Sequence, residues 1–192
     1  MKLIVLFPGI GYTCDKPLLY YANKLSRGEG FDEIIQVKYS YTSKEGLRGN
    51  KEKMLEVFNI LYSQTKEELK DVKWSEYDEI LFVSKSVGTV VASAFARENN
   101  LYSNCMLTQV LYTPLEFTFL YNPENAISFI GTSDPWSDAY KVIEEAKKAG
   151  VPIHVYEGAN HSLETGNLTK DIDILKDVID KTGEFILKSS KT

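Results

Sequence analysis

Apolar positions along this chain follow two rhythms, and the chain switches repeatedly between them. Short apolar, β-rich runs occur at Lys2–Phe7, Ile34–Ser40, Glu79–Val83, Met106–Leu111, Ala126–Ile130 and Pro152–Tyr156. Their lengths and their Val, Ile and Leu content predict buried strands. Between most of them the period lengthens to that of a helix. Leu18, Leu19, Ala22 and Leu25 form one face of a predicted helix with Asp15 as its cap, Pro17 in its first turn, and Gly28 and Gly30 at its exit. From Asn50 to Val72, Met54, Leu55, Phe58, Leu61 and Tyr62 recur at spacings of three and four, which predicts a long amphipathic helix with a solvated polar face. Further helices are predicted after Gly88 (Val90, Val91, Ala94, Phe95), from Asp138 to Ala149 with a stop at Gly150, and over about Thr169–Leu187. The stretch Tyr112–Asn125 carries no period, and Lys188–Thr192 reads as a frayed end.

Strands alternating with helices predict an α/β fold: a three-layer sandwich with a mainly parallel six-stranded sheet and helices on both faces. In such sheets ligands bind beyond the carboxyl ends of the strands, so the residues just after each strand are the ones to read for chemistry. A length of 192 residues suits one domain spanning 1–192. Composition narrows the function classes. With 22 Lys+Arg against 27 Asp+Glu, a net charge of -5 and no basic patch, the chain is not expected to bind nucleic acid or an anionic membrane. Leu3–Phe7 is too short for a membrane span or a signal-peptide core, so a cytoplasmic location is expected. The two cysteines, Cys14 and Cys105, form no CxxC, which argues against a disulfide framework or structural zinc and fits a reducing compartment. No metal and no cofactor are expected.

After the third predicted strand comes Ser84-Lys85-Ser86-Val87-Gly88, followed by a helix. In a sharp strand-to-helix turn the central serine is strained, and the residues two before and two after it must be small. Ser86, flanked by Ser84 and Gly88, meets that rule; Ser84, with Phe82 at one flank, does not. Read blandly, Ser86 is a helix N-cap. After the fifth strand comes Gly131-Thr132-Ser133-Asp134-Pro135-Trp136, and after the sixth Glu157-Gly158-Ala159-Asn160-His161-Ser162. Serine, acid and histidine thus follow strands three, five and six, an order suited to an acyl-transfer triad. His161 is preferred to His154, which sits within a strand, and Asp134 to Asp138, which reads as a helix N-cap. The glycine-rich turn Phe7-Pro8-Gly9-Ile10-Gly11-Tyr12 can aim a backbone N–H, most directly that of Ile10 with Gly11 second, at a substrate oxygen; Val87 N–H is the other candidate donor.

These residues resemble the α/β-hydrolase superfamily, in particular small, cap-less bacterial members with a Lys-Ser-x-Gly-Thr elbow, here Lys85 to Thr89. The resemblance spans nearly the whole chain. It implies six of the fold's eight usual strands in the order 2-1-3-4-5-6, with Ser86 as nucleophile, Asp134 as acid and His161 as base. Pro8 departs from the family, standing where many members have the histidine of a His-Gly motif. The activity implied is hydrolysis of a small carboxylic ester or related acyl bond by a monomer or homodimer. Two rival readings remain. One is a hydrolase-like protein that binds a small molecule without catalysis. The other is a dinucleotide site at Gly9 and Gly11, which lacks a third glycine, because Cys14 stands there, and an acidic end to strand two.

Tyr12, Phe117 and Trp136, together with Phe119 and Tyr121, are expected near the strand ends as walls of a substrate pocket. Lys85 is expected to be exposed and to solvate the turn, with attraction of an anionic substrate as the alternative. Only about 14 residues separate Leu111 from the fifth strand, too few for a multi-helix cap. An open site favouring short acyl groups is expected, with activity declining below roughly pH 6 to 7 as an ordinary histidine gains its proton.

Overall fold

The computed structural model describes residues 1–189. Its six strands are β1 (Lys2–Phe7), β2 (Glu33–Gln36), β3 (Glu79–Lys85), β4 (Leu107–Tyr112), β5 (Ala126–Gly131) and β6 (Ile153–Tyr156), all parallel, in the order β2-β1-β3-β4-β5-β6. The helices are α1 (Pro17–Gly28), α2 (Lys51–Leu69), α3 (Val87–Glu98), the four-residue α4 (Leu101–Asn104), α5 (Ala139–Lys148) and α6 (Leu168–Ser189).

The strands are apolar on both faces because both faces are covered. In β1, Leu3, Val5 and Phe7 point into one core with Val57 and Leu61 of α2 and Val91 and Phe95 of α3. Ile4 and Leu6 point the opposite way, against Leu18 and Leu19 of α1 and Val178 and Ile186 of α6. Further along the sheet, Leu111 and Ile130 meet Val142 and Ala146 of α5. The three-layer sandwich and its strand order therefore stand as read, and β1 has the bounds its pattern predicts.

The departures have local causes. Strand β2 ends at Gln36 rather than Ser40 because β1 turns away after Phe7, leaving no ladder to pair with. The following amides are taken up by α2 instead: Lys38 N–H donates to Glu68 Oε2 (2.8 Å) and Ser40 N–H to Gln64 Oε1 (3.1 Å). Asp15 does not cap α1; Lys16 holds that position without a side-chain bond, and Pro17 starts the helix. Asp138 does cap α5, accepting from Tyr140 and Lys141 N–H. The aperiodic stretch after β4 contains a 3-10 turn at Glu116–Tyr121, too short to show a period in sequence. Of the expected frayed end, Lys188 and Ser189 belong to α6, and residues 190–192 lie outside the described residues.

Candidate active site

Ser86 is the single residue between β3 and α3, with φ 58° and ψ -127°. A non-glycine residue with positive φ is strained and is held only where the surroundings leave no alternative. Here the constraint is steric. A Cβ at Gly88 would lie 2.4 Å from the Phe7 carbonyl oxygen and 2.5 Å from that of Pro8, so α3 starts hard against the end of β1. Ser84 is fully buried and donates to the Val110 carbonyl. The N-cap account of Ser86 fails, because its side chain makes no capping bond.

Its hydroxyl instead donates to His161 Nε2 at 2.7 Å, while His161 Nδ1 lies 2.6 Å from Asp134 Oδ2. A carboxylate facing Nδ1 assigns the proton to that nitrogen and leaves Nε2 to accept from serine. Asp134 is held by its other oxygen, Oδ1, which accepts the Trp136 N–H at 2.8 Å, and its side chain is fully buried. The loops that carry Asp134 and His161 are fastened to each other. Ser133 N–H donates to the Ala159 carbonyl, and Gly158 N–H to Thr132 Oγ1. A Cβ at Gly131 would fall 2.2 Å from the Ala159 carbonyl oxygen, so only glycine permits this approach. Asn160, which sequence reasoning passed over, shapes the histidine loop: its Oδ1 accepts from Ser162 and Glu164 N–H. An Asn directly before the histidine in a Gly-containing loop is the signal that could have found it.

The other predicted residues are placed as follows. Ile10 lies in the turn after β1, closed by reciprocal bonds between Gly9 and Tyr12, and Val87 opens α3; neither N–H has a partner among the described residues. Trp136 lies with its ring centroid 6.1 Å from that of His161. Two cavities meet at the serine and the histidine. One, of about 310 Å³, is apolar and is lined by Phe117, Leu120 and Tyr121 after β4, by Val87 and Val90 of α3, and by Met54, Leu55 and Phe58 of α2. The other, of about 560 Å³, opens between Tyr12 and the start of α6. Tyr12 therefore borders the second cavity and not the apolar one, with its hydroxyl accepting the Leu18 N–H. Phe119 turns away into the core beside α5. The connection after β4 is as short as expected, yet the site is not an open surface, because α2 supplies the facing wall. His154 stacks on Phe129, away from both cavities. Cys14 is buried, which pushes its thiol up to about 12.

Lys85 corrects the sequence reading outright. It is fully buried rather than exposed, with its ammonium on Thr113 Oγ1 (2.5 Å) and 4.9 Å from the centre of the Tyr12 ring. Burial lowers its pKa to about 7, against the attraction of Asp134. The side chain is long enough to leave the strand end and reach Thr113 and Tyr12 on other loops, which a residue-by-residue reading of the turn does not show. His161 is pushed down to about 4, first by burial and then by Lys85, with Asp134 opposing both. The imidazole is thus a neutral acceptor over most of the pH range.

Among the described residues no group of three or more His, Cys, Asp or Glu could hold a metal ion, and no helix is long and apolar enough to cross a membrane.

No protein-family model matches the sequence, and no curated protein matches it significantly. Solved structures do. The chain is similar to Est1E from Butyrivibrio proteoclasticus, solved with ferulic acid bound, at 10% identity over 100% of this chain and 90% of that one, with a TM-score of 0.66. It is similar to an esterase from Pyrococcus furiosus at 15% identity, over 97% and 80% of the two chains, with a TM-score of 0.64. It is also similar to an α/β serine hydrolase without lid from Xanthomonas campestris at 13% identity, over 92% and 78%, with a TM-score of 0.55. At these identities the likeness is one of architecture, and it agrees with the strand order: this chain has the α/β-hydrolase fold.

Proposed function

We propose that this protein is a serine hydrolase that cleaves a carboxylic ester, or a related acyl bond, through an acyl-enzyme. The observation that carries the proposal is the unbroken hydrogen-bonded series from Ser86 through His161 to Asp134, with Ser86 held at positive φ beside the apolar cavity. His161 Nε2 removes the Ser86 proton as Oγ attacks the carbonyl carbon, and the Nδ1–H bond to Asp134 stabilises the imidazolium that forms. The negative charge passes to the carbonyl oxygen, where the N–H groups of Ile10 and Val87 are its donors. The tetrahedral adduct collapses, the ester C–O bond breaks, and the alcohol leaves with the proton from His161. Water, deprotonated by His161, then attacks the acyl-Ser86 carbonyl, releasing the acid and restoring the serine.

The acyl group occupies the apolar cavity of about 310 Å³, which is of ligand size. The Pyrococcus furiosus esterase among the structural neighbours favours the same reaction class. Labelling by a fluorophosphonate, which traps an activated serine, tests the reading against mere binding. Wild-type protein is expected to label at Ser86 and to turn over p-nitrophenyl butanoate; a protein that does neither is not a serine hydrolase.

A further inference from the structure

The two cavities share five lining residues: Ile10, Lys44, Ser86, Trp136 and His161. Lys44 is the one lysine or carboxylate among them. Its side chain lies along the Cβ-free face of Gly11, one residue from the Ile10 N–H. A Cβ on Gly11 would fall 2.8 Å from Lys44 Cε and 3.0 Å from Nζ. Its charge is felt within the site, since it lowers the pKa of both His161 and Lys85. Some lysines of this acidic chain have carboxylate partners, among them Lys2 with Glu79, Lys148 with Glu144 and Glu145, and Lys176 with Asp180. The ammonium of Lys44 takes part in no ion pair and no hydrogen bond among the described residues, and the same is true of Lys51 at the mouth of the apolar cavity. No carboxylate lines that cavity. The second cavity carries Lys16 as well as Glu164 and Asp171, of which Asp171 is occupied by the Thr165 N–H and hydroxyl.

We infer that the substrate is an anionic ester: an apolar acyl group fills the α2-side cavity, and the alcohol carries a carboxylate or phosphate close to the scissile bond, where Lys44 receives it. The inference rests on the hydrolase reading above and adds the substrate's charge to it. Lys44 is exposed at the rim of both cavities, so its pair with an anion is modest and weakened by salt, whereas a neutral ester gains nothing from it. Lys44 is thus a specificity-determining residue, and Lys85, fully buried behind the triad, is not the cation that meets the substrate.

The test compares three butanoate esters: 3-(butanoyloxy)benzoate, its neutral methyl ester, and 3-(butanoyloxy)phenyl phosphate. Wild-type protein is expected to prefer at least one anionic ester over the methyl ester by about tenfold in kcat/KM, mainly through KM, and less so in 1 M salt. The preferred anion separates a carboxylate from a phosphate source. Lys44→Met is expected to remove the preference and Lys44→Arg to keep it, while Lys147→Met, a charge-matched change on the far helix α5, leaves it unaltered. Equal turnover of all three esters by wild type overturns the inference, as does a Lys44→Met variant that loses kcat equally on all three. In either case fluorophosphonate labelling and turnover of the methyl ester leave the hydrolase reading standing. Absence of both sinks that reading and this one with it.

Discussion

The two sides of the site are built by different physics. On one side lie Ser86, Asp134 and His161, each on the residue or short loop that leaves a strand, each position set by sterics that tolerate little change. Gly88 and Gly131 sit where a Cβ would overlap backbone oxygen. On the other side lies the wall made by α2 and the Glu116–Tyr121 turn, where side chains of many sizes could pack. Leu55 and Leu120 remain 61% and 71% exposed there although both line the apolar cavity, so that wall is defined by how a helix docks rather than by backbone contacts. In the proposed function the first side carries the chemistry, and the second selects what the chemistry acts upon.

The sharpest way to break this division is to remove the proposed nucleophile. Ser86→Ala is expected to lower kcat by about four orders of magnitude or more, with the circular dichroism spectrum and Tm little changed, because alanine keeps the Cβ and so leaves the strain at the elbow as it was. Retention of turnover would place the chemistry elsewhere. Next in size is Asp134→Asn, which presents an amide to Nδ1 and favours the wrong imidazole tautomer, at a cost of about four orders of magnitude or somewhat less in kcat. Asp138→Ala, four residues on, removes only the α5 cap and is expected to cost about 1 kcal/mol of stability in a denaturant titration, with kcat unaltered. Similar losses of kcat in both would mean that Asp134 is not the residue orienting the base.

The wall responds on a smaller scale. A buried methylene is worth about 0.8 kcal/mol, so lengthening butanoate to hexanoate is expected to raise kcat/KM by up to about fifteenfold. Phe58→Ala, which opens the wall between Tyr62 and Tyr121, is expected to remove most of that gain while leaving acetate hydrolysis nearly unchanged in kcat. A wild-type enzyme that treats acetate and hexanoate alike would mean that the acyl group does not enter this cavity.

The smallest expected effect is in pH. The proposed reaction needs neutral His161, and burial together with Lys85 lowers its pKa to about 4, so the acid limb of kcat/KM is expected near pH 4 and not at 6 to 7. Removing a positive charge raises the pKa of a neighbouring imidazole. Lys85→Met is therefore expected to move the limb upward, toward the ordinary histidine value of about 6.5. A limb unmoved in that variant would show that Lys85 is silent in the site.

What could be read in the chain divides along the same line. The strands other than the far end of β2, the elbow and the order of serine, acid and histidine were legible because each depends on a local rule: a short apolar run rich in Val, Ile and Leu, a small residue two before and two after Ser86, a cap at Asp138. The burial of Lys85 was not, because its four-carbon stem leaves the turn that its backbone belongs to and ends against Thr113 and Tyr12, which come from other loops. Nor was the role of α2. Met54, Leu55 and Phe58 have the spacing of any core-facing stripe, and nothing in a periodicity distinguishes packing against a sheet from facing a cavity. Asn160 was hidden for a plainer reason: an Asn in a loop is common, and its worth appears only when its acceptor is seen closing the turn that carries His161.

The early end of β2 has a consequence for local opening. From Lys38 to Asn50 the chain is joined to α2 by side chains, Glu68 and Gln64 on the backbone amides and Gln64 Nε2 on the Ser40 hydroxyl, instead of by a strand ladder. Such bonds are exposed to water and can part without disturbing a neighbouring strand. In amide hydrogen exchange, the first turns of α2 and the segment before them would lose protection well ahead of α3, whose Val91, Ala92 and Ala94 are fully buried. Opening is thus expected beside the apolar cavity, while the strand ends that carry Ser86, Asp134 and His161 stay protected from exchange.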